Sequence, residues 1–227
     1  MNKLAIIAAL EREVAPLVSG WARTSVPSQN RDVVIFARGN VLVAFAGMGG
    51  MGARAAADAV YQHAAGKLDR MVSVGLAGAL APELKVGDII RPATVIDEAD
   101  GQRIDIPGGE GILVSCGTVA DASLKHTLAQ KHIARAVDME AYAVADVARV
   151  YGVPFSAIKV ISDDLDFPMP QLGRFVGDRG EFQTGRFILH AALRPWLWST
   201  VSRLGANSTR ATKALCRELE LLMKPYA

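Results

Sequence analysis

The sequence has little of what usually declares a function. Among its 227 residues are only 2 cysteines, Cys116 and Cys216, far apart and in no CxxC spacing. A disulfide framework or zinc–thiolate site is therefore excluded, and a reducing cytoplasm is the expected compartment. The 4 histidines, His63, His126, His132 and His190, are scattered and form no ligand set. They read as surface or half-buried residues, and Cys116 as a core residue. Charge nearly balances at +2, so no strong field argues for nucleic acid as a partner. Long apolar runs are also missing. The first, Leu4 to Leu10, is followed at once by charges; it is too short to span a membrane and has no small-residue cleavage site behind it.

Aliphatic residues are what the chain has in quantity. Hydrophobic residues make up 51% and aromatics only 6%, with a mean hydropathy of +0.22. That balance suits helices packed on a sheet. The length supports one substantial core. No repeat, low-complexity tract or linker divides the chain, so residues 1–227 read as a single α/β domain with a mixed sheet.

Leu4 to Leu10 reads as a central strand, Glu11 to Ser19 as a helix, and the polar residues 22–32 as a loop. Val33 to Ala37 and Val41 to Ala46 form a hairpin around Gly39-Asn40. GMGGMG (Gly47 to Gly52) breaks the pattern before an alanine-rich helix, Ala53 to Ala65. Further strands are expected at Arg70 to Val74, within Val86 to Ile96, at Gly111 to Cys116 and at Phe155 to Ile161. The polar stretch 97–110 reads as a connection. Ala136 to Tyr151 reads as mostly helical behind an Asp138 N-cap, and stops at Gly152-Val153-Pro154. Phe187 to Leu204 and Ala211 to Met223 are the last helices expected.

Three apolar strands run into groups able to do chemistry: Glu11-Arg12-Glu13, Gly75-Leu76-Ala77-Gly78 and Ser162-Asp163-Asp164. In parallel α/β sheets ligands bind beyond the carboxyl ends of the strands, so parallel strands would bring these clusters to one edge. Each also has a plain structural reading. Glu13 suits the positive end of a helix, as does Glu140 behind Asp138. The Gly47–Gly52 turn can cradle an anion on its N–H groups or can simply be tight; it lacks the Lys-Ser/Thr of a P-loop and the spacing of a dinucleotide fingerprint. Asp163, directly after a buried strand, is the hardest to dismiss.

In this order, AALEREV (Ala8 to Val14), the Gly47–Gly52 turn, VGLAGALAPELKVGDII (Val74 to Ile90), VDMEAYAVADVA (Val137 to Ala148) and KVISDD (Lys159 to Asp164) resemble the purine nucleoside phosphorylase superfamily. The likeness is greatest to its methylthioadenosine/adenosylhomocysteine nucleosidase branch and covers roughly residues 1–165. It implies a three-layer αβα fold around a mixed sheet, no cofactor, phosphate at most as co-substrate, a purine nucleoside as small-molecule partner, and a homo-oligomer. By the resemblance Glu13 positions and deprotonates the attacking water. Glu140 accepts hydrogen bonds from the ribose hydroxyls, and Met139 lies under the sugar. Asp163 donates a proton toward purine N7, oriented by Ser162. Gly47, Gly49, Ala77 and Gly78 complete the substrate-binding set. Proton donation requires Asp163 to hold a proton, through burial or nearby acids such as Asp164.

The chain also departs from that pattern. Leu76 stands where many members have serine, and Ser73 where phosphorylases carry a phosphate-gripping arginine. Both changes favour water, although Arg12, Arg54 and the Gly47–Gly52 amides can still hold phosphate. No aromatic occurs in Gly117 to Ala120 to stack on the base. After Asp163, DLDFPMPQLGRFVGDRGEFQTGRF (Asp164 to Phe187) reads as a lid. The apolar stretch around Trp196 and Trp198 reads as a core helix kinked at Pro195, or as a face meeting membrane or lipid. ISDDLDF, GRFV, TGRF and ALRPWLW resemble the hopanoid-associated branch, which implies adenine removal from adenosylhopane. Futalosine- or methylthioadenosine-type nucleosides, phosphorolysis, and a non-catalytic nucleoside sensor are the alternatives.

Overall fold

The structure, a computed structural model, describes residues 3–28, 31–170 and 197–226, together with Phe175, Gly177, Gln183 and Arg194. Eleven strands form one mixed sheet among these residues. They are β1 (Lys3–Ile7), β2 (Ala22–Ser28), β3 (Arg31–Arg38), β4 (Val41–Phe45), β5 (Leu68–Ala79), β6 (Ile89–Ile90), β7 (Thr94–Asp97), β8 (Arg103–Asp105), β9 (Ile112–Ser115), β10 (Ala136–Asp138) and β11 (Phe155–Asp163). The main path runs β2-β3-β4-β1-β5-β10-β9-β7-β8, with β11 on β5 and β6 on β11.

Alternating side chains in the central strands feed two cores. Ala5, Ile7, Val33, Ile35, Leu42 and Ala44 pack against helices α2 (Gly50–His63) and α4 (Ala141–Val150). Leu4, Ile6, Val43, Val72, Val74 and Val160 pack on the opposite face against helix α1 (Glu11–Val18) and the last described helix, α5 (Trp198–Met223). That is the three-layer αβα arrangement, produced by the period-two alternation of strands buried on both faces. Helix α3 (Ala122–His132) covers β9 and β10 through Leu128.

β5 is the strand that makes room for a site. It pairs in parallel with β1 as far as Ser73 and with β11 from Met71 to Gly78. On the β1 side it then meets β10, antiparallel, only at Gly78 and Ala79. Between those neighbours the sheet splits. The carboxyl ends of β1 and β11 approach the split from one direction, and β10 approaches from the other.

Several expectations are corrected. Residues 22–28 form a strand, not a loop: at the sheet edge β2 needs only backbone pairing with β3, so its polar side chains stay exposed and Pro27 is tolerated. β5 continues through the glycines to Ala79 because β11 pairs with it as far as Gly78 and β10 pairs with Gly78 and Ala79. A Cβ on Gly78 would stand 2.8 Å from Lys125 Cε. Residues 97–110 include β8, held by β7. Ala136–Asp138 is a strand bonded to both β5 and β9, not the start of a helix. The N-cap position of α4 is held by Glu140, not by Asp138 as expected, because the helix starts only at Ala141; Asp138, at the end of β10, still accepts from the Ala141 N–H at 2.9 Å.

Helix α3 is an element that the sequence pattern does not predict; Asp121 caps it by accepting from the Leu124 N–H at 2.9 Å. α5 runs unbroken across Gly205, where two helices are expected from the sequence. The proposed lid beyond 170 and the apolar stretch at 187–196 lie outside the described residues, isolated positions apart. No described helix is long and apolar enough to cross a membrane.

Helix α2 begins within the glycine run because a side chain has no room there. A Cβ at Gly52 would lie 2.5 Å from the Gly47 carbonyl oxygen and 2.8 Å from that of Ala46. Gly52→Ala should therefore destabilise the fold by about 1–3 kcal/mol, the usual cost of overpacking, read as a lowered urea midpoint.

Candidate active site

A cavity of about 170 Å³ opens at the split, lined by Glu13, Met139, Glu140, Ser162, Asp163, Ala77 and Gly78. Leu10, Arg12, Met48, Leu76, Thr118, Val119, Ala120 and Lys125 also reach it, as do Met169, Leu204 and Ser208 from the later chain. The three acids expected from separate motifs thus meet in one space. Two expected members do not line it: Gly47 and Gly49 sit behind it. The Gly49 N–H donates to Glu140 Oε1 at 2.8 Å. One amide of the proposed anion cradle is therefore taken by the protein's own carboxylate, and Gly49 positions Glu140.

Glu13 leads off helix α1, just past the end of β1. Its Oε2 accepts from the Ala9 and Leu10 N–H groups at 3.1 and 3.2 Å. This turns the side chain back over β5, where a Cβ on Gly75 would come within 3.4 Å of it. Burial raises the Glu13 pKa, against the lowering effect of the Leu10 N–H, Lys159 and Arg12. Such a carboxylate accepts a proton more readily than an exposed one.

Glu140 stands where β10 gives way to α4. Burial pushes its pKa up to about 7, helped by the charges of Asp138 and Glu13 and opposed by Lys159 and the Gly49 N–H. The counter-ion is Lys159 on β11, fully buried, with Nζ 2.8 Å from Asp138 Oδ2 and 3.3 Å from the Val74 carbonyl. Burial works against its charge, but Asp138, Glu140 and Glu13 outweigh that and raise its pKa. Asp138 is fixed further by the Ser115 hydroxyl at 2.6 Å.

The other end of the cavity has a different character. Asp163 Oδ1 accepts from the Ser162 hydroxyl at 2.7 Å, as expected. Its second oxygen, however, forms a buried ion pair with Lys125 of α3. Lys125 Nζ also donates to the Asp164 carbonyl at 2.6 Å. Of the two environments expected around Asp163, burial or nearby acids, the structure supplies the burial, and the partner it sets against the carboxyl is a cation and not an acid.

Both lysines escaped sequence reasoning. Lys159 left a signal, a lone charge inside the apolar run of β11. Lys125 left almost none: in a polar stretch it looks like a surface lysine, and only its helical spacing to Leu128 hints at a buried face.

The candidates for gripping phosphate are reduced. Arg54 pairs with Asp146 at 2.9 Å and does not line the cavity. Ser73 is buried within β5, its hydroxyl without a partner among the described residues, and it too is away from the cavity. Arg12 does line it. No aromatic side chain lines the cavity among the described residues. Among those residues, no group of three or more His, Cys, Asp or Glu could hold a metal ion.

Comparison with known proteins agrees with this architecture. The model of the phosphorylase superfamily matches residues 3–134 and 101–174. The futalosine hydrolase of Helicobacter pylori superposes with a TM-score of 0.68 at 16% identity, over 96% of each chain. The 5′-methylthioadenosine/S-adenosylhomocysteine nucleosidase of the same organism superposes with a TM-score of 0.67 at 18% identity, covering 97% of this chain and 98% of that one. A putative nucleosidase of the same kind from Francisella philomiragia gives 0.62 at 22% identity, over 73% of this chain and 88% of that one. At these identities the likeness is one of fold.

Removing Lys159 tests the electrostatics of the site. Lys159→Met leaves Asp138, Glu140 and Glu13 buried without their cation and should cost about 3–5 kcal/mol of stability near pH 8. The loss should shrink as pH falls, because the freed carboxylates then take up protons. Urea unfolding at pH 8 and pH 5.5 reads the difference; a loss independent of pH would refute the counter-ion role.

Proposed function

The chain belongs to the phosphorylase superfamily and is an enzyme, and from that premise we propose that it cleaves the N-glycosidic bond of a purine nucleoside, with water as the nucleophile. The observation that carries this reading is the convergence of Glu13, Glu140 and Asp163, from three distant parts of the chain, on one cavity.

The chemistry needs two opposite poles. As the bond breaks, positive charge develops on the sugar and negative charge on the base. Glu13 and Glu140 supply carboxylates for the first. Asp163, with Ser162 and Lys125, supplies hydrogen-bond donors and a proton for the second. Glu13, buried and inclined to take a proton, suits the base that deprotonates water. The engagement of Arg54 with Asp146, and of the Gly49 amide with Glu140, leaves less of a phosphate site and supports hydrolysis over phosphorolysis.

The finer reading is an adenine nucleoside with an uncharged 5′ substituent. Adenine is carried over from the similar methylthioadenosine/adenosylhomocysteine nucleosidases. Leu10, Met169 and Leu204 give the cavity an apolar side that suits such a substituent; a 5′-linked lipid, as in adenosylhopane, is its extreme form. A non-catalytic sensor is disfavoured, since binding alone has no use for so many buried acids.

Free-base release over a nucleoside panel that includes 5′-alkylated adenosines, with and without phosphate, tests the reading. Release without phosphate is expected; strict dependence on phosphate, with a sugar 1-phosphate as product, would replace hydrolysis by phosphorolysis. Asp163→Asn and Glu13→Gln should each lower kcat by about 10²–10⁴-fold, and an unchanged rate would remove that residue from the mechanism. Glu140 must be ionised to accept from the ribose hydroxyls. The kcat/KM for base release should therefore rise as pH increases through about 7, following its raised pKa, and Glu140→Gln should lose that limb.

A further inference from the structure

Lys125 is the feature of the cavity that the sequence motifs do not account for. It is 1% exposed, yet it belongs to a surface-covering helix from which a lysine can ordinarily reach water. Burying an ammonium is costly, and an apolar side chain of similar length would fill the space at less cost. The surroundings are nevertheless built for it. A Cβ at Gly78 would lie 2.8 Å from Lys125 Cε, 3.3 Å from its Nζ and 3.1 Å from Asp163 Oδ2, so the strand carries glycine where the pair sits. The Asp164 carbonyl takes a second Nζ hydrogen at 2.6 Å. Lys125, Gly78 and Asp163 all line the cavity.

We propose that Lys125 is the source of the proton that reaches the leaving base, passed through Asp163. This rests on the reading of the site as one that cleaves purine nucleosides. When the N-glycosidic bond breaks, its electron pair goes to the base and spreads to N7. The Asp163 carboxylate takes one proton from Lys125 Nζ and hands that one proton on to N7. The pair changes from ammonium–carboxylate to amine–carboxylate, and the base departs neutral. Water adds its hydroxyl to the sugar carbon and gives its proton to Glu13. Solvent then reprotonates Lys125 and takes the proton from Glu13, which closes the balance. In this scheme Asp163 need not start protonated, which resolves its pairing with a cation. Lys125 acts through Asp163 and is a positioning and relay residue.

The test compares two leaving groups in wild type, Lys125→Met and Lys125→Arg. A purine nucleoside needs a proton on its base; 4-nitrophenyl β-D-ribofuranoside releases a stable anion and needs none. Lys125→Met should lose about 10²-fold or more in kcat on the purine nucleoside while nitrophenolate release stays within a few-fold of wild type. Lys125→Arg keeps the positive charge but does not give up a proton, so it should remain slow on the purine substrate. Equal loss on both substrates, no loss on either, or full rescue by arginine would overturn the relay. A wild-type protein that cleaves the nitrophenyl riboside but no purine nucleoside would overturn the purine reading, and the relay with it, before any variant is compared.

Discussion

Two lysines that do not reach solvent hold the site together. Lys159 lies among Asp138, Glu140 and Glu13, and Lys125 lies against Asp163. Without those cations a cavity walled by buried carboxylates would repel itself, and the acids would protonate or pull the strands toward water. With them, negative groups can be kept buried, where their fields are strongest. Each lysine holds its position through more than charge. Lys159 also bonds a β5 carbonyl, and Lys125 the carbonyl of Asp164.

The sheet provides the place for this arrangement. β5 leaves β1 after Ser73 and is joined by β10 only at its far end. The split lets Glu13 and Glu140 enter from opposite directions, while β11 carries Asp163 alongside. Glycine then acts as space at Gly78, which yields to the Lys125–Asp163 pair. These placements give the cavity its polarity. Glu13 and Glu140 share the Lys159 cation and Asp163 has Lys125, so each set of acids is held by its own buried lysine.

Much of the fold is legible in the sequence. The central strands are apolar and bounded by turns, and their alternation feeds both cores. Three of the misreadings share a cause, since each concerns an element whose partner, not its own pattern, determines its state. β2 is polar and becomes a strand because an edge is available. β10 is three residues long and sits in a helix-like context, but it pairs on both sides. α3 is a weakly amphipathic helix whose meaning lies in what it covers.

By itself the sequence determined that Glu13, Ser162 and Asp163 follow apolar strands, where a buried carboxylate is costly unless it is used, while Glu140, read as part of a helix, became a candidate through the motif resemblance. Only the tertiary structure decided which charges face one another. It turned the Gly49 amide onto Glu140, withdrew Arg54 to Asp146, and brought a lysine from a distant helix to Asp163. Local pattern reports burial and period, whereas charge pairing depends on separations of a few ångströms between segments far apart in the chain, and no local pattern encodes those.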